Sequence, residues 1–316
     1  MRTRVGCRKL HNGFTLIPLL SPLSRGGRIT LIGGRILVAT DESVEGRHAV
    51  QAARAIAERD ATEWMVLTVT PLLSMGDVPA GRLVSSAQGG DGTDVVPEFT
   101  RFNAWLDSEV QAGVAVAPEV ALAFGVPGIE ISRMARLREA DLIVLGRRAR
   151  APDRRLLLGE TADAVVRRSD VPVLFVPMRV TNFRRVLVAL DGTDRALSVL
   201  EVAMAMATRV GAAFGALMVE PDLSDEQQSG LGSPMPRART ARLAELLRRV
   251  PGGDRQALAI RRGNPVEEIL AQVQETDTDL LVIGYRRGGP PKIIAPTDIA
   301  RNLLYAAPSA VLTVPL

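Results

Sequence analysis

Two glycines and several arginines stand close together in the stretch LGRRARAPDRRLLLGETADAVV, residues 145–166. Gly146 ends an apolar run, and Gly159 stands where a helical pattern begins. Glycine lets a backbone come close to a bound group, and the free amides at a helix start favour an anion. The arginines between the glycines could pair with phosphate; they are Arg147, Arg148, Arg150, Arg154 and Arg155. The spacing therefore predicts a phosphate-binding loop, either intact or as a remnant.

Motifs for catalysis and for metal binding are scarce. The two histidines are His11 and His48, and no Ser or Cys stands at a recognisable spacing for a catalytic triad. His48 follows a predicted helix start and is interpreted as a helix-surface residue. Cys7 is the only cysteine, so neither an intrachain disulfide nor a Cys/His metal framework can form. The chain also has no Walker P-loop and no HExxH zinc motif. We therefore expect no catalytic residue, no metal ligand and no enzyme.

The positive charge of the chain is concentrated at its start. The formal net charge is +4, and residues 1–34 hold six basic residues and no acid. The rest of the chain therefore carries about −2, which disfavours a general polyanion-binding surface. Aromatic residues make up 3% of the chain, too few for base-stacking platforms. We expect no nucleic-acid partner, no membrane span and a cytoplasmic location. The leader, 1–34, is expected to be disordered or a wrongly assigned start.

The second half of the chain repeats the first. RILVATDES, which starts at Arg35, returns as RRVLVALDGT, and ADLIVLGRR returns as TDLLVIGYRR. The repeat aligns Asp41 with Asp191, Gly125 with Gly263, Pro127 with Pro265, and Gly146 with Gly284. Such internal similarity indicates two copies of one structural unit. We predict two domains, at 35–178 and 179–316.

Short apolar runs alternate with helical patterns within each half. In the first half the predicted strands are 36–40, 64–69, 116–122, 142–145 and 173–176. Their near-continuous apolar character is typical of parallel strands that helices cover on both faces. The predicted fold is α/β: in each half, a doubly wound, five-stranded parallel sheet flanked by helices. Ligands bind such sheets beyond the carboxyl ends of the strands, where the strand order reverses. Asp41 and Gly146 are therefore expected to face one crevice.

These motifs together resemble the universal stress protein family in its tandem two-domain form. They are an Asp that closes the first strand, a Gly-x-Pro before the third helix, the ADLIVLG strand and a Gly that opens the last helix. The resemblance implies a Rossmann-like fold of the adenine nucleotide alpha hydrolase type, ATP at the switch point and a stress-response role. It also implies that the final strands of the two domains pair with each other, and that the chain forms a homodimer. Protein partners are expected, but the sequence does not identify them.

The resemblance also implies which residues contact the nucleotide. ATP-binding relatives carry G-x2-G-x9-G followed by Ser or Thr, and this pattern matches Gly146 and Gly159 here. Arg148, as a charged partner for phosphate, and Thr161 complete the predicted phosphate residues. Thr40 and Asp41 are implied to contact the sugar or adenine region, and the backbone of Val69 is implied to lie near the base. Mg²⁺ would accompany the ATP. Asp41 has a second interpretation as a helix N-cap.

The sequence departs from this pattern in both halves. Ala149 replaces the second glycine, and Glu160 places a carboxylate where the helix dipole would favour phosphate. In the second half Arg287 replaces the second glycine, and Thr297 and Asp298 follow as a helix N-cap. We therefore expect at most one ATP site, in the first domain.

Two alternatives to a nucleotide-binding regulator stay open. The first is a ligand-free scaffold for protein partners, in which Glu160 and Asp298 occupy the former phosphate positions. The second is a weak, incidental ATP hydrolase, whose phosphate release would disappear in Asp41→Ala. If ATP does bind, the expected mechanism is ligand-dependent ordering of the loop 147–158, which would shift the population of partner-binding states.

Overall fold

A computed structural model gives the structure of the chain. It describes residues 34–71, 97–109, 116–147, 159–177, 182–220, 236–250, 258–286 and 298–316, together with two short strands, β1 (Thr15–Leu16) and β4 (Leu83–Ser85). The chain divides into two compact units, one of Leu31–Asn182 and one that includes Phe183–Val314. Apart from β1 and Gly34, the leader lies outside the described residues, and so do Arg148 and Thr297.

The described residues of the first unit form five parallel strands and one short antiparallel strand. The parallel strands are β2 (Arg35–Ala39), β3 (Glu63–Thr70), β5 (Glu119–Phe124), β6 (Leu142–Arg147) and β7 (Val173–Pro177). Their order across the sheet is β5-β3-β2-β6-β7, and β4 pairs antiparallel with the outer edge of β5. The predicted five-stranded parallel arrangement is confirmed, with β4 as an addition.

The third predicted strand begins later than the sequence pattern indicated. Pro118 has no backbone N–H, so it cannot donate to the ladder, and β5 starts at Glu119 opposite Met65. The carbonyl of Val116 instead accepts a hydrogen bond from the indole N–H of Trp64 at 2.8 Å. This contact holds the approach to the strand against the sheet.

In the described part of this unit, the helices are α1 (Val44–Ala57), α2 (Pro97–Glu109), α3 (Pro127–Leu137) and α4 (Glu160–Arg168). The apolar face of α1 buries Ala49, Ala53 and Ile56, as their helical spacing predicts. Helices α3 and α4 approach each other closely, because a Cβ built on Gly128 would lie 2.4 Å from the Cβ of Ala164. None of the described helices is long and apolar enough to cross a membrane.

The second unit repeats this topology. Its strands are β8 (Arg185–Leu190), β9 (Ala213–Glu220), β10 (Leu258–Arg262), β11 (Leu280–Tyr285) and β12 (Ala310–Pro315). Its helices are α5 (Ala196–Val210), α6 (Pro236–Arg249), α7 (Pro265–Glu275) and α8 (Ile299–Ala306). The strand order is β10-β9-β8-β11-β12, and β1 adds an antiparallel pair at the start of β9. The internal repeat is therefore also a repeat of fold.

The strand order indicates where each sheet could bind a ligand. In the first unit the order reverses between β2 and β6, and in the second unit between β8 and β11. A crevice forms at the carboxyl ends of such a strand pair. Helix α1 begins just after β2, and α4 follows β6, so both helices start at that edge.

Candidate functional site

The turn after β2 is built from hydrogen bonds among neighbouring residues. Thr40 is buried; its amide donates to the carbonyl of Leu67 at 2.9 Å, and its hydroxyl accepts from the amide of Glu42 at 3.1 Å. The exposed Asp41 accepts hydrogen bonds from the amide and the hydroxyl of Ser43. Both candidate residues follow the end of β2, and these local hydrogen bonds hold their conformation.

The interpretation of Asp41 as the helix N-cap is wrong. The cap of α1 is Ser43, whose hydroxyl oxygen accepts from the amide of Gly46 at 3.1 Å. Asp41 stands two residues too early to reach the first-turn amides and instead orients the capping hydroxyl. The sequence reasoning missed Ser43, although a Ser just before a helical pattern is a recognised cap signal.

Gly146 lies inside β6, where the strand contacts the first turn of α1. A Cβ built on Gly146 would lie 2.4 Å from the carbonyl oxygen of Glu45 and 2.8 Å from the amide nitrogen of Gly46. A Cβ on Gly46 would in turn lie 2.2 Å from the hydroxyl oxygen of Thr40. The two glycines let β2, β6 and α1 meet at the switch point. Gly46 was not among the predicted residues.

Arg147 places a buried positive charge at the same strand end. Its side chain is buried, and burial lowers the pKa of the guanidinium to about 10, so the group stays protonated at neutral pH. Successive side chains of a strand point to opposite faces, so Arg147 faces away from α1, which Gly146 faces. The right-handed crossover rule places α3 and α4 on that face, because the chain passes from β5 back across the sheet to β6.

The amino end of α4 has no side-chain cap. Its N-cap residue is Gly159, with φ −53° and ψ 142°, and glycine has no side chain that could accept from the first-turn amides. A Cβ on Gly159 would meet no atom of the described residues within 4 Å. Glu160 is exposed and is the first residue of the helix. Free amides at an uncapped helix start, together with the dipole, make a favourable position for an anion.

The described contacts join only part of the predicted set. Thr40, Asp41 and Gly146 meet through the first turn of α1. Val69 is half-buried near the carboxyl end of β3, and Thr161 is half-buried in the first turn of α4. The topology of the sheet places these two residues and Gly159 at the same side, where the parallel strands have their carboxyl ends. Among the described residues, no three His, Cys, Asp or Glu side chains cluster as they would around a metal ion.

The second unit has the same framework, with different side chains at its switch point. Asp191 accepts from the amide and the hydroxyl of Thr193 at 3.0 and 2.8 Å, as Asp41 does from Ser43. A Cβ on Gly284 would lie 2.7 Å from Leu316 and 3.2 Å from Val199, so apolar side chains line this switch point.

Asp298 closes the amino end of α8. Its carboxylate accepts from the amide of Arg301 at 3.1 Å, which confirms the predicted N-cap. Helix α8 thus begins one residue later in the repeat than α4, because Asp298 aligns with Glu160. The two acids therefore have different positions: Asp298 caps its helix, whereas Glu160 is the first residue of α4, and Gly159 precedes it as the N-cap.

Comparison with known proteins gives consistent matches in both halves. The profile of the universal stress protein family matches residues 34–177 and 182–315. Universal stress protein Sll1388 of Synechocystis is 31% identical over 152 residues, which are 45% of this chain and 97% of that protein. Universal stress protein MJ0531 of Methanocaldococcus jannaschii is 30% identical over 146 residues, 45% of this chain and 81% of that protein.

Solved structures match the chain over nearly its full length. A universal stress protein from Archaeoglobus fulgidus aligns with 90% of this chain and 98% of its own, at 21% identity and a TM-score of 0.64. A protein from Pseudomonas aeruginosa, described as a putative universal stress protein, covers 91% of this chain and 94% of its own, at 17% identity and a TM-score of 0.61. These structures share the fold of this chain.

Proposed function

Because the chain belongs to the universal stress protein family, we propose that it is a non-catalytic regulatory protein with one adenine-nucleotide site in its first domain. The ligand of this proposal is ATP with Mg²⁺. The second domain keeps the fold and binds no nucleotide. The proposed domain bounds are 35–178 and 179–316, and the proposed location is the cytoplasm.

One difference between the two repeats carries this proposal. The N-cap residue of α4 is Gly159, which has no side chain to cap the helix, whereas the carboxylate of Asp298 already accepts from the first turn of α8. A phosphate group and a capping carboxylate would compete for the same amides. On this proposal, the first domain offers an anion position at the start of α4 that Asp298 occupies at the start of α8.

The residues present fit a nucleotide at the first switch point. Thr40 and Asp41 follow β2 at its carboxyl end and would contact the sugar or adenine region. The backbone near Val69 would lie against the base. Gly159, Thr161 and the amides of α4 would hold phosphate, with positive charge from Arg147 nearby. Arg148 belongs to the proposed site but lies outside the described residues.

The role proposed for Gly146 is indirect. A glycine is needed at this position because a Cβ would lie only 2.4 Å from the carbonyl oxygen of Glu45. Gly146 therefore supports the site by letting α1 and β6 meet, and it need not contact phosphate itself.

Glu160 is exposed, so water can solvate its carboxylate. We expect this carboxylate to weaken the binding of phosphate at the start of α4 but not to prevent it.

The test is a calorimetric titration of the full chain with magnesium-ATP. We expect about one site per chain for the native protein. Gly159→Asp gives α4 the cap that α8 has, so we expect this variant to lose the binding while α4 gains a few tenths of a kcal/mol. Saturable binding that survives in Gly159→Asp would contradict the proposed position of the phosphates.

Asp298→Gly is the matched control. It removes the cap from α8 at a cost of a few tenths of a kcal/mol, because glycine is also an acceptable N-cap. We expect its ATP stoichiometry to equal that of the native chain, since Leu316 and Val199 still line the second switch point. A second ATP site in Asp298→Gly would show that the cap alone had closed the second domain.

A ligand-free scaffold is the second candidate function. The observation in its favour is the contact of Gly146 with the α1 backbone, which accounts for this motif glycine without a nucleotide. This candidate predicts no heat of binding and no thermal stabilisation at millimolar ATP. For either candidate we propose a homodimer, which light scattering on the purified chain would measure, and no phosphate release from ATP at high protein concentration.

A further inference from the structure

The first domain contains a cavity at the amino-terminal ends of its parallel strands, opposite the switch point. Its volume is about 160 Å³, and it lies between the second half of α3, the start of β6 and the turn that leads into β7. Ser132, Ala135, Ala140 and Ile143 form its inner wall, and each is buried. The hydroxyl of Ser132 is hydrogen-bonded within α3, because it donates to the carbonyl of Gly128 at 2.8 Å. The wall is therefore largely apolar.

The internal repeat explains why the cavity is present in this domain. In the alignment that pairs Gly125 with Gly263, the positions of Ala135 and Ala140 hold Val273 and Thr278 in the second domain. Both of these larger side chains are buried, and Thr278 also hydrogen-bonds the hydroxyl of Thr276. The first domain thus has small residues where the second domain has larger buried side chains.

The mouth of the cavity carries three charged residues, of which two neutralise each other. Arg136 lies 3.9 Å from Asp170, and both side chains are exposed. The third residue is Glu139, which also lines the cavity and is exposed. Its backbone has φ 50°, and its counterpart Asp277 has φ 44°, so the two acids occupy the same turn of the repeat.

The partners of these two acids differ between the repeats. In the second domain Arg185 pairs with Asp277 at 3.1 Å. Its counterpart in the first domain, Arg35, forms an ion pair with Glu63 at 2.9 Å on the neighbouring strand, where the second domain has Ala213, and its Nη1 donates to the carbonyl of Arg138 at 2.6 Å. Within the part of the chain that the structure describes, Glu139 has no ion-pair partner. Of the three charged residues that line the cavity, Glu139 therefore carries a charge that no ion pair among the described residues balances, beside an apolar interior.

We propose that this cavity is a second binding site, for a free short-chain primary amine. The alkyl chain would fill the space beside Ala135 and Ala140, and the ammonium group would stay at the mouth near Glu139. An engineered cavity of about 150 Å³ in another protein accommodates benzene, so this volume suits an alkyl chain of about five carbons. The site is independent of ATP, because it lies at the amino-terminal ends of the strands and the proposed nucleotide site lies at their carboxyl ends.

The first experiment titrates the full chain with n-pentylammonium chloride and follows ¹H–¹⁵N spectra. We expect saturable shifts of the amide signals of Ile143 and Ala135, with no change at Gly159. Ala135→Val and, separately, Ala140→Thr copy the second domain, and each should abolish the shifts while circular dichroism shows a folded chain. No saturable shift in the native chain, or shifts that persist in both filled variants, would overturn the proposal.

The second experiment tests the role of the charge. n-Pentanol has the same chain length without the ammonium group, and we expect it to bind about 2- to 5-fold more weakly, as for one exposed ion pair. Glu139→Gln should remove this difference, whereas the control Asp277→Asn should leave it unchanged. Equal affinity of the amine and the alcohol for the native chain would overturn the assignment of an amine ligand.

Discussion

Gly146→Ala tests whether the motif glycine is held by the protein itself. The added methyl carbon would lie 2.4 and 2.5 Å from the carbonyl oxygen and carbon of Glu45, and 2.8 Å from the amide nitrogen of Gly46. Favourable contacts between carbon and other heavy atoms lie near 3.5–4.0 Å, so α1 and β6 would have to separate by about 1 Å. All three atoms belong to the backbone, and no side-chain rotation can relieve the overlap. We expect a loss of about 3 kcal/mol in the free energy of unfolding.

Urea unfolding of the full chain, followed by circular dichroism, measures this loss. Gly159→Ala is the matched control, because its added methyl meets no atom of the described residues within 4 Å and its φ of −53° suits alanine. We expect the control to change stability by less than about 0.5 kcal/mol, since the entropic gain and the poorer cap oppose each other. Equal stability of the two variants would refute the argument that α1 requires a glycine at position 146.

The other predictions concern local structure at the two switch points. Ser43→Ala removes the cap of α1 and should cost about 1 kcal/mol of unfolding free energy in urea titrations, whereas a cost no larger than that of an exposed substitution would reject Ser43 as the cap. Asp298→Ala should cost about the same for α8, and a neutral result would contradict the capping bond. Gly192, at φ 70°, occupies the left-handed region where the first repeat has Glu42 at φ 61°. Gly192→Ala should cost about 1 kcal/mol and Glu42→Gly should not destabilise; thermal melts that show equal losses would contradict the assigned strain.

The fold was predictable because its pattern is local and occurs twice. Parallel strands covered on both faces need continuous apolar runs, and the chain has them at matching positions in both halves. The start of β5 was missed because Pro118 stops the ladder inside an apolar run. The short strands β1 and β4 were missed because two or three paired residues leave no recognisable pattern in a sequence.

The candidate site was only partly predictable, for reasons of geometry. The stretch Thr40-Asp41-Glu42-Ser43 offers several capping side chains, and the choice depends on where α1 begins. That position is fixed by the close packing of Gly46 on Thr40. The sequence also marks Gly146 as a point of close approach but cannot say what approaches, and the structure shows the backbone of Glu45.

A ¹H–¹⁵N titration of the full chain with magnesium-ATP tests the proposed nucleotide site most directly. We propose that the start of α4 is open to phosphate, whereas Asp298 caps the start of α8. We expect saturable shifts of the amide signals of Glu160 and Thr161, with those of Ile299 and Ala300 unchanged. Shifts at the start of α8, or no shift at the start of α4 at saturating ATP, would contradict it.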